Sequence, residues 1–168
     1  MRMATGREAV LAAGRAWLAA ALCLATALPQ AAPSTFGPVI GSAILCRSHL
    51  DNAYFRSYLS DAFGPSYKRE GGAYWFKADA MLWGASVSDV IVSDDTSELT
   101  FVGAVSDSEP EALDEAIRGA VGVRHYKADD SAFPVRQSRP GSKIVYFNSK
   151  SKIYCARYKP MPADRHGP

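Results

Sequence analysis

Apart from Cys23 in an N-terminal leader, the chain holds two cysteines, Cys46 and Cys155. Whether they are joined decides what shape it can take. A bond between them closes a loop of about 110 residues and holds the start of the folded region against its last strand. In an oxidising compartment two cysteines most simply form one bond, with a single intramolecular connectivity. The first expectation is therefore a Cys46–Cys155 disulfide. The chain-entropy model values such a loop at about 4.7 kcal/mol, less any native strain.

The compartment is read from the leader itself. Arg2, Arg7 and Arg15 precede Ala16 to Leu28, a run of 13 residues without charge, and Ala25-Thr26-Ala27 has the small-x-small pattern of a signal-peptidase site. A bilayer span takes about 20 residues, so the run is too short to be an anchor. Leu22 before Cys23 does not suit lipoprotein processing. Residues 1–27 are expected to be a cleaved signal peptide. The rest is expected to be periplasmic or secreted, without a membrane span. The leader carries three of the 19 basic and one of the 17 acidic residues, so the remaining chain is balanced in charge. A neutral chain has no general attraction to nucleic acid or anionic lipid, and no nucleic-acid partner is expected.

The charges are nevertheless sorted. Ala78 to Ile117 holds ten acids and no Lys or Arg, whereas the chain from Ser131 onward is predominantly basic. Either the two halves neutralise each other across one surface or they form a dipolar molecule.

Residues 28–45, with Pro33 and Pro38, read as a flexible connection, 46–160 as one domain and 161–168 as a disordered tail. Ser48 with Asp51 announces a helix from about His49 to Phe63, stopped by Gly64-Pro65. Ser108, Pro110 and Glu111 open a second helix that Gly122 ends. Four strands are expected between them and three after, with 129–141 a long loop and a terminal hairpin turning at Ser149-Lys150-Ser151. The expected class is α+β: a single two-layer domain, a mostly antiparallel sheet with both helices on one face, in the order α-β-β-β-β-α-β-β-β.

Chemistry is thinly marked. Cys46-Arg47-Ser48-His49 is a Cys-x-x-His that His125 and Cys155 could complete as a zinc set, in competition with the disulfide. Ser149-Lys150-Ser151-Lys152 matches Ser-x-x-Lys but lacks its companion motifs and falls at a hairpin tip. Asp89, Asp94, Asp95 and Glu98 fit no calcium-loop spacing. The terminal hairpin interleaves Lys143, Lys150, Lys152, Arg157 and Lys159 with Tyr146, Phe147, Tyr154 and Tyr158, the letters of a sheet with one buried and one charged face. No catalytic residue is singled out and no cofactor is implied.

The densest feature is aromatic. Tyr54, Tyr58, Tyr74, Trp75 and Trp83 belong to a crowd of rings within 30 residues. Alternation along a strand sends Tyr74 and Trp75 to opposite faces, so a sheet covered on one side leaves some of them at the surface as interface candidates. The resulting expectation is a non-catalytic binding or inhibitor-like module for a protein or envelope component. The alternatives are a small hydrolase or lyase using carboxylates with His49 or His125, and a zinc-carrying module.

Overall fold

The computed structural model describes residues 31–159, so the expected signal peptide and the tail over 161–168 lie outside the described residues. Eight antiparallel strands form one sheet in the order β1-β2-β3-β4-β8-β7-β6-β5. They are β1 Lys68–Glu70, β2 Ala73–Leu82, β3 Ala85–Ser93, β4 Leu99–Ser106, β5 His125–Lys127, β6 Arg136–Ser138, β7 Lys143–Phe147 and β8 Lys150–Tyr158. Three helical segments pack on one face. The first, α1, makes π-helical turns over Gly37–Gly41 and continues as α-helix over Ser42–Ile44; α2 is Asn52–Phe63 and α3 is Pro110–Val121. The class is α+β, with the helices on a single face, as the residue pattern implied.

After α1 the order is helix, four-stranded meander, helix, four-stranded meander. The last strands of the two meanders, β4 and β8, pair along their length from Leu99↔Tyr158 to Ser106↔Ser151 and make the sheet continuous. Phe76, Val90, Val92, Val102, Ala104, Ile144, Ile153 and Cys155 point from the sheet into one core with Leu59, Leu113 and Ile117 of the helices.

The flexible connection expected over 28–45 is corrected from Phe36 onward. Phe36, Ile40 and Ile44 recur every fourth residue and all three are buried. That spacing puts them on one side of a helix. Pro38 sits in its first turn, where the missing N–H costs nothing. Phe36 meets Phe63 of α2 edge-on, with ring centroids 5.3 Å apart.

Three smaller differences have local causes. The helix expected from His49 starts at Asn52, because the Asp51 carboxylate accepts the Tyr54 N–H at 3.0 Å and is itself the cap. Glu111 closes no capping box; it turns outward to Arg136 at 2.6 Å and Tyr146 Oη at 3.1 Å. The loop expected over 129–141 contains β6, three residues that become a strand only by lying between β5 and β7. The terminal hairpin turns at Asn148-Ser149, with Asn148 at φ 57°, a left-handed conformation that asparagine tolerates.

Cys46 and Cys155 are joined, with Cα atoms 5.3 Å apart and a separation of 109 in sequence. The bond ties the segment after α1 to the middle of β8. The sorted charges meet across the fold at two places, Asp107 with Lys150 and Glu111 with Arg136. No helix among the described residues is long and apolar enough to cross a membrane.

Candidate functional site

The five aromatic interface candidates do not form one surface. Tyr54 and Tyr58 lie along α2, with Tyr54 half exposed and the Tyr58 hydroxyl 2.9 Å from Thr35 Oγ1. Tyr74 is on the helix-covered side, its ring beneath the Arg56 guanidinium at 4.2 Å. Trp83 occupies the β2–β3 turn at φ 55° and packs on Gly41 of α1. Only Trp75 stands on the uncovered face of the sheet.

There it meets residues from distant parts of the chain. In register, Trp75 of β2 is followed across the sheet by Ile91, Gly103, Tyr154 and Lys143. The neighbouring row is Lys77, Asp89, Val105, Lys152 and Val145. Gly103 is required at the centre: a Cβ there would lie 2.8 Å from the Ile153 carbonyl oxygen and 2.9 Å from Tyr154 Cβ. Ile91 and Val105 are buried on this face although they belong to no part of the helix-side core.

Trp75 and Phe147 rise with ring centroids 6.4 Å apart, and Lys152 extends between them. Its ammonium lies 4.1 Å from the Phe147 centroid and 5.1 Å from that of Trp75, while Lys68 covers Trp75 at 4.1 Å. With Glu70, Ile91 and Phe101 these side chains line a depression of about 410 Å³. Burial, and then the Lys68 charge, push the Lys152 amine below the ordinary lysine pKa. Lys68 is paired with Glu70 at 2.9 Å. Lys152 has no carboxylate within 4 Å among the described residues. A half-buried cation between two rings, next to a second cation, favours an anionic or acidic-aromatic group from outside.

The acids of this region are already committed. Asp89 takes Tyr67 Oη at 2.8 Å, Ser88 Oγ at 2.8 Å and the Lys77 ammonium at 2.9 Å. Asp94 is buried in the β3–β4 turn, where the Thr96 hydroxyl and the Arg69 guanidinium hold its carboxyl at about 2.

The zinc set is overturned by the disulfide, because Cys46 and Cys155 have no thiolate to give. His49 is exposed, and His125 is engaged elsewhere. Among the described residues no group of three or more His, Cys, Asp or Glu side chains is placed to hold a metal ion.

The engagement of His125 was not legible in sequence. Asp114 of α3 accepts both the His125 backbone N–H at 2.7 Å and ring Nδ1 at 3.1 Å. Ring Nε2 lies 2.8 Å from Ser142 Oγ, which in turn lies 2.7 Å from Ser138 Oγ. One tautomer satisfies the whole chain: Nδ1–H donates to Asp114, the Ser142 hydroxyl donates to Nε2, and the Ser138 hydroxyl donates to Ser142. Burial, the largest influence, lowers the His125 pKa and favours this neutral form. The order Ser–His–Asp is that of a hydrolase triad, yet Ser142 is wholly buried and the His125 side chain has no exposed surface. The network joins α3, β5 and the β6–β7 turn.

No family model, curated protein or solved structure matches the chain.

Proposed function

We propose that the chain is an exported, non-catalytic binding module, inhibitor-like in scale, that recognises a protein or envelope component through the uncovered face of its sheet. One observation carries the reading: Lys152 is held half-buried between Trp75 and Phe147 without a carboxylate partner. Such a site gains most from an acidic side chain next to an aromatic or apolar one, because the acid neutralises the desolvated amine while the apolar group covers the rings. Export is supported by the leader pattern and is compatible with the disulfide.

A displayed library of random heptapeptides, selected on the oxidised protein, tests the reading. Enrichment of Asp or Glu beside an aromatic residue is expected, and it should vanish with Trp75→Ala or Lys152→Gln while the circular dichroism spectrum stays unchanged. Enrichment that survives both substitutions, or none at all, sinks the sheet-face reading.

A second reading, a small hydrolase, is favoured by the Ser142–His125–Asp114 spacing and opposed by the burial of its serine. Labelling of Ser142 by a fluorophosphonate, abolished in His125→Gln, would establish it. An unlabelled Ser142 removes it.

A further inference from the structure

A second cleft lies where the C-terminus of α3 meets the start of β5 and the β6–β7 turn. It has a volume of about 380 Å³ and is lined by three guanidinium-bearing residues, Arg47, Arg124 and Arg139, with Tyr126, Gly122 and Pro140. It shares no residue with the depression on the open sheet face. None of the three arginines lies within 4 Å of a carboxylate among the described residues. Arg47 makes one long contact, from Nη1 to the Val121 carbonyl oxygen at 3.5 Å, which leaves most of its donors without a protein partner among the described residues.

The backbone beneath each arginine is fastened by its neighbour in sequence. Arg47 follows Cys46, which is bonded to Cys155. Arg124 precedes His125, whose N–H and ring are both held by Asp114. Arg139 follows Ser138, whose N–H bonds the Ser142 carbonyl oxygen at 2.9 Å and whose hydroxyl belongs to the buried network. The Gly141 position brings that turn to within van der Waals reach of Cys46 Sγ. The disulfide and the buried His–Ser–Ser chain thus converge on the same cleft and fix the origins of its three guanidinium arms. All three side chains are exposed, and arginines match oxyanions because the planar fork offers two parallel N–H donors to a phosphate or carboxylate. A cleft of this size suits a small molecule rather than a length of polymer.

We propose that Arg47, Arg124 and Arg139 form a binding site for a compact phosphate-bearing ligand, with at least two negative charges on its oxyanion group. The exposed Tyr126 ring at the rim offers a surface for whatever the phosphate is attached to. The site is independent of the open sheet face, and either can fail without the other.

Calorimetric titration of the oxidised protein with inorganic pyrophosphate at low ionic strength tests it. One saturable site is expected. Arg124→Gln and Arg139→Gln should each weaken it by about tenfold or more, as loss of a charge-assisted hydrogen bond does. Arg157→Gln, a loss of the same charge at the exposed end of β8, should change affinity by less than about threefold. Two other results overturn the proposal: no saturable binding by the wild-type protein, or equal losses in the Arg157 and cleft variants, which indicate a diffuse field only. Orthophosphate and citrate in parallel distinguish the ligand. Tighter pyrophosphate than citrate supports a phosphate site, and the reverse order rejects it in favour of a polycarboxylate.

Discussion

His125 is where side-chain chemistry and fold are most tightly coupled. Its ring is buried and neutral, and burial depresses its pKa below the ordinary 6.5, outweighing the opposing pull of Asp114; nearby Arg136 adds to the depression. Protonation would put a hydrogen on Nε2 and force the Ser142 hydroxyl to surrender its acceptor. The sign follows from linkage. A histidine whose folded pKa is lowered contributes stability that is complete above its unfolded pKa, and lost as pH falls through the folded one. Stability is therefore expected to decline on acidification below about 6.5, well before Asp94 titrates at about 2. Urea midpoints from pH 7.5 to 5 check this. The decline should be absent in His125→Gln, whose own unfolding free energy should drop by about 1–3 kcal/mol for the orphaned partners. A wild-type midpoint flat over that range would show that His125 is protonated, or its partners rearrange, without cost. None of this was readable from the chain, because Asp114, His125 and Ser142 become neighbours only when α3 and the β6–β7 turn fold onto β5.

Elements were legible where local chemistry punctuates them. Gly64 and Gly122 end α2 and α3, Pro110 opens α3, and four strands lie between these two helices as expected. The misses came where a local signal was ambiguous. Pro33, Pro38 and small residues give the start of the described chain the composition of a linker, and that outweighed Phe36, Ile40 and Ile44 at four-residue spacing. β6 carries no signal of its own between Pro134 and Pro140, because three residues pair only if both neighbouring strands already exist. For the sheet face, Trp75 could be singled out, and Lys152 with Phe147 recognised as basic-aromatic interleaving. Their convergence could not, since β2 and β8 are far apart in sequence and meet only through the β4–β8 pairing. The corrected α1 makes a prediction that the linker reading denies. Phe36→Ala should cost about 3–5 kcal/mol, the range for emptying a buried aromatic site. Equilibrium urea unfolding measures it, and a cost near zero would return residues 36–45 to the status of a connection.

At the scale of the whole molecule, the two meanders share one core, and the disulfide spans nearly the whole described chain. Cys46 anchors the turn after α1 and Cys155 sits in the middle of β8, the strand that joins the halves. Removing the bond lets the unfolded chain expand and changes one buried residue of the sheet, Cys155, so its effect should appear in stability before structure. The Cys46→Ser/Cys155→Ser double variant is expected to lose up to about 4–5 kcal/mol, the loop-closure value for some 100 residues. If the core is one cooperative unit, the fluorescence of Trp75 and Trp83, which report the open sheet face and the α1 side, should still change at the same midpoint as the far-ultraviolet dichroism. Separate midpoints would mean that the bond, not the core, makes the two halves fold together. Where the double variant remains folded, two roles of the disulfide separate. Arg47 is fastened through Cys46 alone, whereas Arg124 and Arg139 keep the His125 network, so pyrophosphate binding should weaken without being abolished. Unchanged affinity would assign the cleft to Arg124 and Arg139 and leave Arg47 to the Val121 carbonyl at the end of α3.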